Sequence, residues 1–462
     1  MALPFVSIII VNYNGAHFLP GCLNALGDQS YPSECFEVIV SDNGSSDHSI
    51  ELIKNNYSWV QLLENHKNLG FASGNNAAIR VTRGEYVILL NNDTAPNPDW
   101  LENLVESAQK HPNAGIISGL LQLYYDQLSL SIKNDTFIPP DDQRELGIQV
   151  YDTKSGAERG VFQYLEGFYG QELDYAGRSF RWTKSGAQLG IPLPTNSNEL
   201  SLKFILSASR SDNRPVKVII LHKKDSLAEW TVKGIEPKTF EIPQLSINDE
   251  SRTALVQNAG SIIFKDGSGR DRGTFVRDNQ VFFEEDIGQY SAEEQVFAGC
   301  GANLLLKREM LNDVGLLDDD FFMYYEDTDL SWRARLRGWD VLYTPHAVVR
   351  HIHCGTTNEW SPDFIYLTER NRLAMVFKNG SLHQILWTFG KYYAASIYRI
   401  WLIVITRSAS DSIISDKKKR VRINFAVSKT LLKRFPSLVK KRYQIQSSRK
   451  VSHAEIKSWF VD

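Results

Sequence analysis

The sequence predicts an α/β protein with an all-β module inserted into it and a basic helical segment at its C-terminal end. Three observations carry this. Over the first 120 or so residues, continuous apolar runs alternate with helical patterns, as in a parallel sheet covered on both faces by crossover helices. Between about 135 and 252 the texture changes to short alternating runs separated by Pro, Gly, Asn and Ser clusters, as in an antiparallel sandwich. From Lys417 to Lys450 there are thirteen Lys or Arg and no Asp or Glu, although the whole chain carries a net charge of −3.

The strands of the first region are "VSIIIV", "FEVIV", "VQLL", "YVILL" and "GIIS", with helical stretches such as "HFLPGCLNALG" and "HSIELIKNN" between several of them. Strand-like alternation follows in "SLKFILSAS", "VKVIILHK", "AEWTVKG" and "TFEIPQ", and "QVFAGCGANLLLKREML" resumes a mixed α/β character. The expected division is therefore 1–132 and 254–380 for the two parts of one α/β domain, 133–253 for the inserted module, and 381–462 for the tail. A chain of 462 residues exceeds one ordinary core, which agrees with several domains.

Composition narrows the class. Hydrophobic content of 42% and charged content of 23% are those of a folded, water-soluble protein. Four cysteines without a C-x-x-C pair argue against a disulfide framework or zinc ribbon and point to a reducing, cytosolic setting. The start "MALPFVSIIIVNYNG" lacks the pattern of an export signal, and "VSIIIV" is too short to span a bilayer. The stretch "ILWTFGKYYAASIYRIWLIVI" is interrupted by Lys391 and Arg399, so it reads as an interfacial or packed helix. Val421, Phe425, Ser428, Leu432 and Phe435 fall at helical spacing among Arg422, Lys429, Lys433 and Arg434, which describes a basic amphipathic helix. Such charges each contribute about 1 kcal/mol beside an anionic lipid surface. A membrane is the expected partner, because no nucleic-acid-binding motif accompanies the tail. On charge alone the tail reads as an electrostatic object separate from the rest.

In open α/β sheets ligands bind beyond the carboxyl ends of strands. "VIV" runs into "SDNGSSD" and "YVILL" into "NNDTAP", so Asn12, Asn14, Asp42 and Asp93 are expected on one rim, although the same residue types also make turns and caps. In "FFMYYEDTDLSWRARLRGW", Glu326, Asp327 and Asp329 open a helix behind a block of aromatic residues. Acids there stabilise the positive helix end; a carboxylate held against an apolar wall is also a tunable general base.

Taken together, "VSIIIVNYNG", "VIVSDNGSSD", "NLGFASGNN", "LLNNDT", "GCGANLLLKREMLNDVGLLDDDFFMYYEDTDLSWRARLRGW", "HAVVRHIHCGTT" and "ERNR" resemble the family 2 glycosyltransferases of the GT-A fold, in their rhamnosyltransferase-like bacterial branch. The resemblance covers most of residues 1–130 and 255–380. It implies transfer of a sugar from a nucleotide-diphospho sugar to an acceptor hydroxyl, with inversion. Negative charge growing on the departing diphosphate calls for a divalent metal or fixed donors, and the acceptor hydroxyl must lose a proton to a base.

By this resemblance "NND" at 91–93 takes the place of the D-x-D motif, so Asp93 is the main ligand of Mn or Mg, with Asn91 replacing the first Asp and Asn92 on the nucleotide-sugar side. His351 matches a metal-completing position, with His353 as a second candidate. Asp327 maps to the catalytic base, Glu326 is its acidic neighbour, and Asp329 has the structural role. Phe322, Tyr324 and Tyr325 would exclude water beside the base. Asp42, Asn12 and Asn14 face the base and ribose, Asn68, Gly70 and Asn75 form the next nucleotide-facing loop, and Gly299–Ala302 approach the sugar. In the inserted module Trp182, Tyr169 and Arg178 either stack on a glycan or fill the sandwich. The absence of Q-x-x-R-W and of transmembrane helices argues against a processive synthase. The implied partners are a dTDP- or UDP-sugar, a glycan or lipid-linked glycan acceptor and the inner face of a bacterial cell membrane. A non-catalytic carbohydrate-binding protein with a decayed core is the alternative.

Overall fold

The computed structural model describes residues 3–151, 163–193, 198–210, 212–277, 280–352, 361–405 and 411–461. They form two compact units: 1–122 with 257–273 and 290–462, and 123–256 with 274–289.

The larger unit is built on a mixed sheet. β1 (Val6–Asn12) pairs in parallel with β2 (Phe36–Asp42) and β4 (Tyr86–Asn91), and β2 with β3 (Gln61–Glu64). The strand Asn303–Lys307 runs antiparallel between β4 and β6 (Ala114–Leu123), giving the order β6, 303–307, β4, β1, β2, β3. The apolar runs are continuous because both faces of the sheet are covered. Ile8 and Ile10 join Leu19 and Leu23 of α1 (Leu19–Gly27) and Leu101 and Leu104 of α4 (Trp100–Lys110) in one core. On the opposite face α3 (Gly70–Ile79) packs on β1 and β2.

A short strand β5 (Thr94–Pro96) pairs with the long strand Asp340–His351 in a register that sets His351 opposite Thr94. This places the imidazole beside the end of β4. Among the described residues no helix is long and apolar enough to cross a membrane.

α6 (Glu326–Arg337), α7 (Pro362–Asn379), α8 (Leu382–Ile405) and α9 (Asp411–Ser448) follow. Trp332 of α6, Leu373 and Val376 of α7, and Val427 and Leu431 of α9 share a second core. The end of the chain returns to this unit, where Phe460–Val461 adds a parallel strand to Ser261–Phe264. The tail is thus not electrostatically separate. Arg420 pairs with Glu369 at 3.0 Å, Lys441 with Asp320 at 2.7 Å, and Arg434 donates to the Asp320 carbonyl at 2.6 Å. Counting charges overlooked these pairings.

The smaller unit consists of two five-stranded antiparallel sheets. One contains Gln149–Tyr151, Ser179–Thr183 and Glu199–Ala208; the other contains Gln127–Asn134, Ala187–Pro192 and Val216–His222. Leu130, Leu189 and Ile220 from one sheet and Val150, Phe204 and Leu206 from the other close a shared core, as alternating strands facing each other should. The unit extends beyond 133–253 because Gln127–Asn134 and the hairpin Thr274–Arg277 with Gln280–Glu285 belong to it.

Candidate functional site

The carboxyl ends of β1, β2 and β4 are tied together by side chains. Asn12, fully buried at the end of β1, donates to Asp42 Oδ1 at 3.0 Å and accepts from Asn92 Nδ2 at 2.8 Å. Asp42 accepts from the backbone of Gly44 at 3.0 Å and Ser45 at 2.9 Å, and from Ser45 Oγ at 2.6 Å. Its oxygens therefore hold its own loop, and the carboxylate is fully buried. Asn14, at φ +53°, accepts from the backbone of Ser46 at 2.7 Å and donates its own N–H to Ser45 Oγ at 2.9 Å. Gly15 is required here, since a Cβ would stand 2.2 Å from Asn92 Nδ2 and 2.4 Å from Asn12 Oδ1.

The loop of Asn68, Gly70 and Asn75, expected to face the nucleotide, is likewise held by its own contacts. Asn68 Oδ1 accepts from Gly70 N at 2.9 Å, and Asn75 donates to the Phe71 carbonyl at 2.9 Å. Gly70 has φ +75°, and a Cβ on it would meet Phe322 at 2.5 Å. The N–H groups of Phe71 and Ala72 both donate to the Phe322 carbonyl, at 2.6 and 3.2 Å. The glycine thus permits close approach of the loop before α6, and the N–H groups that could cradle a diphosphate are already engaged.

At the end of β4, His351 Nε2 lies 3.1 Å from Asp93 Oδ1 and 3.3 Å from Asn91 Nδ2. Its Nδ1 lies 2.8 Å from Gln257 Oε1. Asp93 Oδ1 is buried and has no hydrogen-bond partner among the described residues, so its closeness to the ring is not a hydrogen bond. No group of three His, Cys, Asp or Glu converges among the described residues. A hard cation held here would rest on one carboxylate and one imidazole, a pair that suits Mn or Mg; Asn91, expected as a third ligand, turns its amide nitrogen to the ring instead. The unpartnered carboxylate oxygen fits such an ion. His353 lies outside the described residues.

Asp327 stands at the start of α6. Its Oδ2 accepts from Gly301 N at 2.9 Å, and its Oδ1 accepts from Thr328 N at 2.6 Å and Thr328 Oγ1 at 3.1 Å. Burial raises its pKa above the ordinary aspartate value, and the hydrogen bonds pull the other way. The loop that holds Asp327 also reaches β4, where the Ala302 carbonyl accepts from Asn91 N at 3.4 Å. "GCGA" thereby joins the carboxylate to the Asn91–Asp93 end.

Glu326 is 5% exposed, and its Oε2 has no partner among the described residues. Burial, reinforced by the charges of Asp327 and Asp329, raises its pKa well above the usual carboxylate range. Asp329 is fully buried between Arg333 at 2.9 Å, Lys378 at 2.9 Å and Asn379 at 2.8 Å. It is an ion-paired anchor for α7, not a helix cap.

The turn entering α6 is strained. Phe322, Tyr324 and Tyr325 have φ of +63°, +71° and +69°, at roughly 1–3 kcal/mol each for a non-glycine residue. "ERNR" explains how it persists. Asn371 Nδ2 lies 3.0, 2.8 and 2.7 Å from the carbonyls of Phe321, Met323 and Tyr324, and Arg370 donates to the Phe321 carbonyl at 2.8 Å. The motif gave no indication of this role. Gln257 and Gly15 were missed as well, because each acts on partners distant in sequence or hidden among turn-forming residues.

In the smaller unit, Trp182 is 6% exposed and packs edge-on against Phe137 and Phe180. Tyr169 lies under Arg144 and Lys184, and Arg178 pairs with Asp174 at 2.8 Å. Trp182 fills the core, so it offers no stacking platform for a glycan.

Residues 7–151 match the model for glycosyl transferase family 2, and residues 275–374 the model for glycosyltransferase like family 2. The chain contains family 2 glycosyltransferase domains. Glycosyltransferase AglE of Haloferax volcanii is 36% identical over 108 residues, which are 23% of this chain and 36% of that protein. The dolichyl N-acetyl-alpha-D-glucosaminyl phosphate 3-beta-D-2,3-diacetamido-2,3-dideoxy-beta-D-glucuronosyltransferase of Methanococcus voltae is 25% identical over 145 residues, 29% of this chain and 45% of that protein. The chain therefore spans less than half the length of these two curated relatives. The crystal structure of GalNAc-T7 with UDP, GalNAc and Mn2+ aligns over 95% of this chain and 58% of its own, at a TM-score of 0.46 and 13% identity.

Proposed function

We propose that the protein is an inverting glycosyltransferase that moves a sugar from a nucleotide-diphospho sugar to a lipid-linked oligosaccharide or polysaccharide in bacterial surface-glycan synthesis. Rhamnose carried on dTDP is the favoured donor, ahead of UDP-sugars. The observation that carries this reading is the unpartnered, buried Asp93 Oδ1 facing His351 Nε2 at the end of β4, joined through residues 300–302 to Asp327.

Asp93 and His351 would hold a divalent cation, with the Asn91 amide beside them. When bound, the cation supplies positive charge to offset the charge that gathers on a leaving diphosphate. The remaining work falls to the chain. Asp327 takes the proton from the acceptor hydroxyl as that oxygen bonds to the anomeric carbon and the bond from that carbon to the diphosphate breaks. Gly301 N and Thr328 orient the carboxylate, and burial raises its basicity above that of an ordinary aspartate. Tyr324 packs on Phe364 and Tyr325 is largely withdrawn from solvent, which limits water beside the base.

The reaction is placed in this proposal at the cytoplasmic face of an anionic membrane. Leu382, Leu386, Tyr393, Ile397, Ile400 and Val404 are exposed along one side of α8, with Trp387 and Trp401 beside them. Exposed Phe425, Leu432 and Val439 of α9 alternate with exposed Arg422, Lys429 and Lys440. Aromatic residues and basic side chains together favour the boundary of an anionic bilayer.

The deciding experiment is calorimetric titration of the full chain with dTDP, UDP and GDP, each with and without Mn2+, alongside a transfer assay of Asp327→Asn. Metal-dependent binding of one nucleotide and loss of transfer in the variant are expected. Failure of all three nucleotides to bind would overturn the reading. For the membrane, sedimentation with phosphatidylglycerol vesicles should fall for a Leu386→Ser/Trp401→Ser variant, and equal binding to neutral phosphatidylcholine would remove the role given to charge.

A further inference from the structure

Gln257 belongs to none of the motifs, yet its amide meets His351 Nδ1 at 2.8 Å, with both residues more than nine-tenths buried. An amide oxygen can only accept, so the contact requires the imidazole hydrogen on Nδ1. In the neutral ring Nε2 then carries a lone pair. Asn91 Nδ2 donates toward that lone pair at 3.3 Å, which agrees with the same tautomer. Asp93 Oδ1, 3.1 Å from Nε2, is left without a donor. Two acceptors turned toward each other at this separation repel, and a cation shared between them relieves the repulsion.

The opposite tautomer accounts for less. A hydrogen on Nε2 would face the NH2 group of Asn91, and the ring does not line up with Asp93 Oδ1 for a hydrogen bond. Nδ1 would also oppose Gln257 Oε1, an acceptor against an acceptor.

We propose that Gln257 is a positioning residue that locks the His351 ring as its Nδ1–H tautomer and so reserves Nε2 for a divalent cation. This rests on the cation site proposed above, but it concerns the proton on the ring, which can be observed without any metal. A neutral amide fixes the tautomer while adding no charge, so the ion is held less tightly than it would be with a carboxylate in the same place. Ligand-orienting partners of this kind typically change metal affinity 10–100-fold when removed.

The test uses the metal-free full chain labelled with 15N-histidine. Long-range 1H–15N spectra report the tautomer, and a spectrum of His351→Ala identifies the His351 signal by its absence. The wild type should show Nδ1–H, Gln257→Glu should retain it, and Gln257→Leu should lose it. Mn2+ alone is then titrated and the free ion followed by electron paramagnetic resonance. Gln257→Leu should bind Mn2+ 10–100-fold more weakly, and Gln257→Glu at least as tightly as the wild type. An Nε2–H tautomer in the wild type overturns the proposal, as does unchanged Mn2+ affinity in Gln257→Leu. If the wild type binds no Mn2+, the cation half falls, while the wild-type spectrum by itself still decides whether Gln257 sets the ring.

Discussion

Glu326 gives the clearest quantitative prediction. It is 5% exposed, one carboxylate oxygen has no partner, and its pKa is raised by burial and by the neighbouring acids. A carboxyl whose native pKa exceeds its unfolded value contributes stability that is complete below the unfolded pKa and is lost as pH rises toward the native one. Between those two values the loss runs at about 1.4 kcal/mol per pH unit. Glu326→Gln keeps the shape and cannot ionise. The wild type should therefore fall behind the variant steadily as pH rises from about 5. With roughly 2.1 cal/mol/K of unfolding entropy per residue, and about 300 residues in the larger unit, that slope corresponds to about 2 °C in melting temperature per pH unit. Scanning calorimetry or dye-monitored melting of both proteins at half-unit steps from pH 5 to 8 measures it. Parallel curves, or a wild type that gains on the variant as pH rises, would refute the reasoning that Glu326 is a neutral buried acid.

Three further outcomes follow from the same region. Asp329→Asn removes the counter-charge shared by Arg333 and Lys378 and should lower unfolding free energy by about 3–5 kcal/mol in urea titration, whereas Asp327→Asn should cost far less. Gly70→Ala combines φ +75° with a Cβ 2.5 Å from Phe322, and a loss of at least about 1–2 kcal/mol is expected from the backbone alone; a stability equal to the wild type would show that the loop can move aside. Asn371→Ala frees three carbonyls of the strained turn. Transfer should then drop while nucleotide binding persists, and limited proteolysis should gain a site near residues 321–325.

The sheet was legible because β1 and β4 are buried along nearly their whole length, which yields uninterrupted apolar runs. The positions of Asp93 and Asp327 were legible too, since acids at a strand end and a helix start stand out. Their partners were not. Gln257 meets His351 across 94 residues, and a glutamine in an unremarkable strand carries no local signal. For Asp42, sequence shows an acid at a strand end but gives no sign that it fastens the loop that follows it. The close approach of Gly70 to Phe322 gave no local signal either, because Phe322 lies on a distant element. The thirteen basic residues of the tail looked unopposed because Asp318, Asp320 and Glu369, which pair with several of them, fall outside it.

That pairing bears on how this protein can be handled. α9 presents Phe425 and Leu432 outward, while from the same helix Arg434 and Lys441 grip residues 318 and 320, immediately before the strained turn and Asp327. Phe460–Val461 stitches the last residues into the unit. A chain shortened before residue 411 to improve its behaviour in solution would lose the far side of the wall that holds Asp327, so its inactivity would say nothing about membranes. Point changes on the outward face of α8 leave that wall standing, and they are the way to separate where the protein sits from what it does.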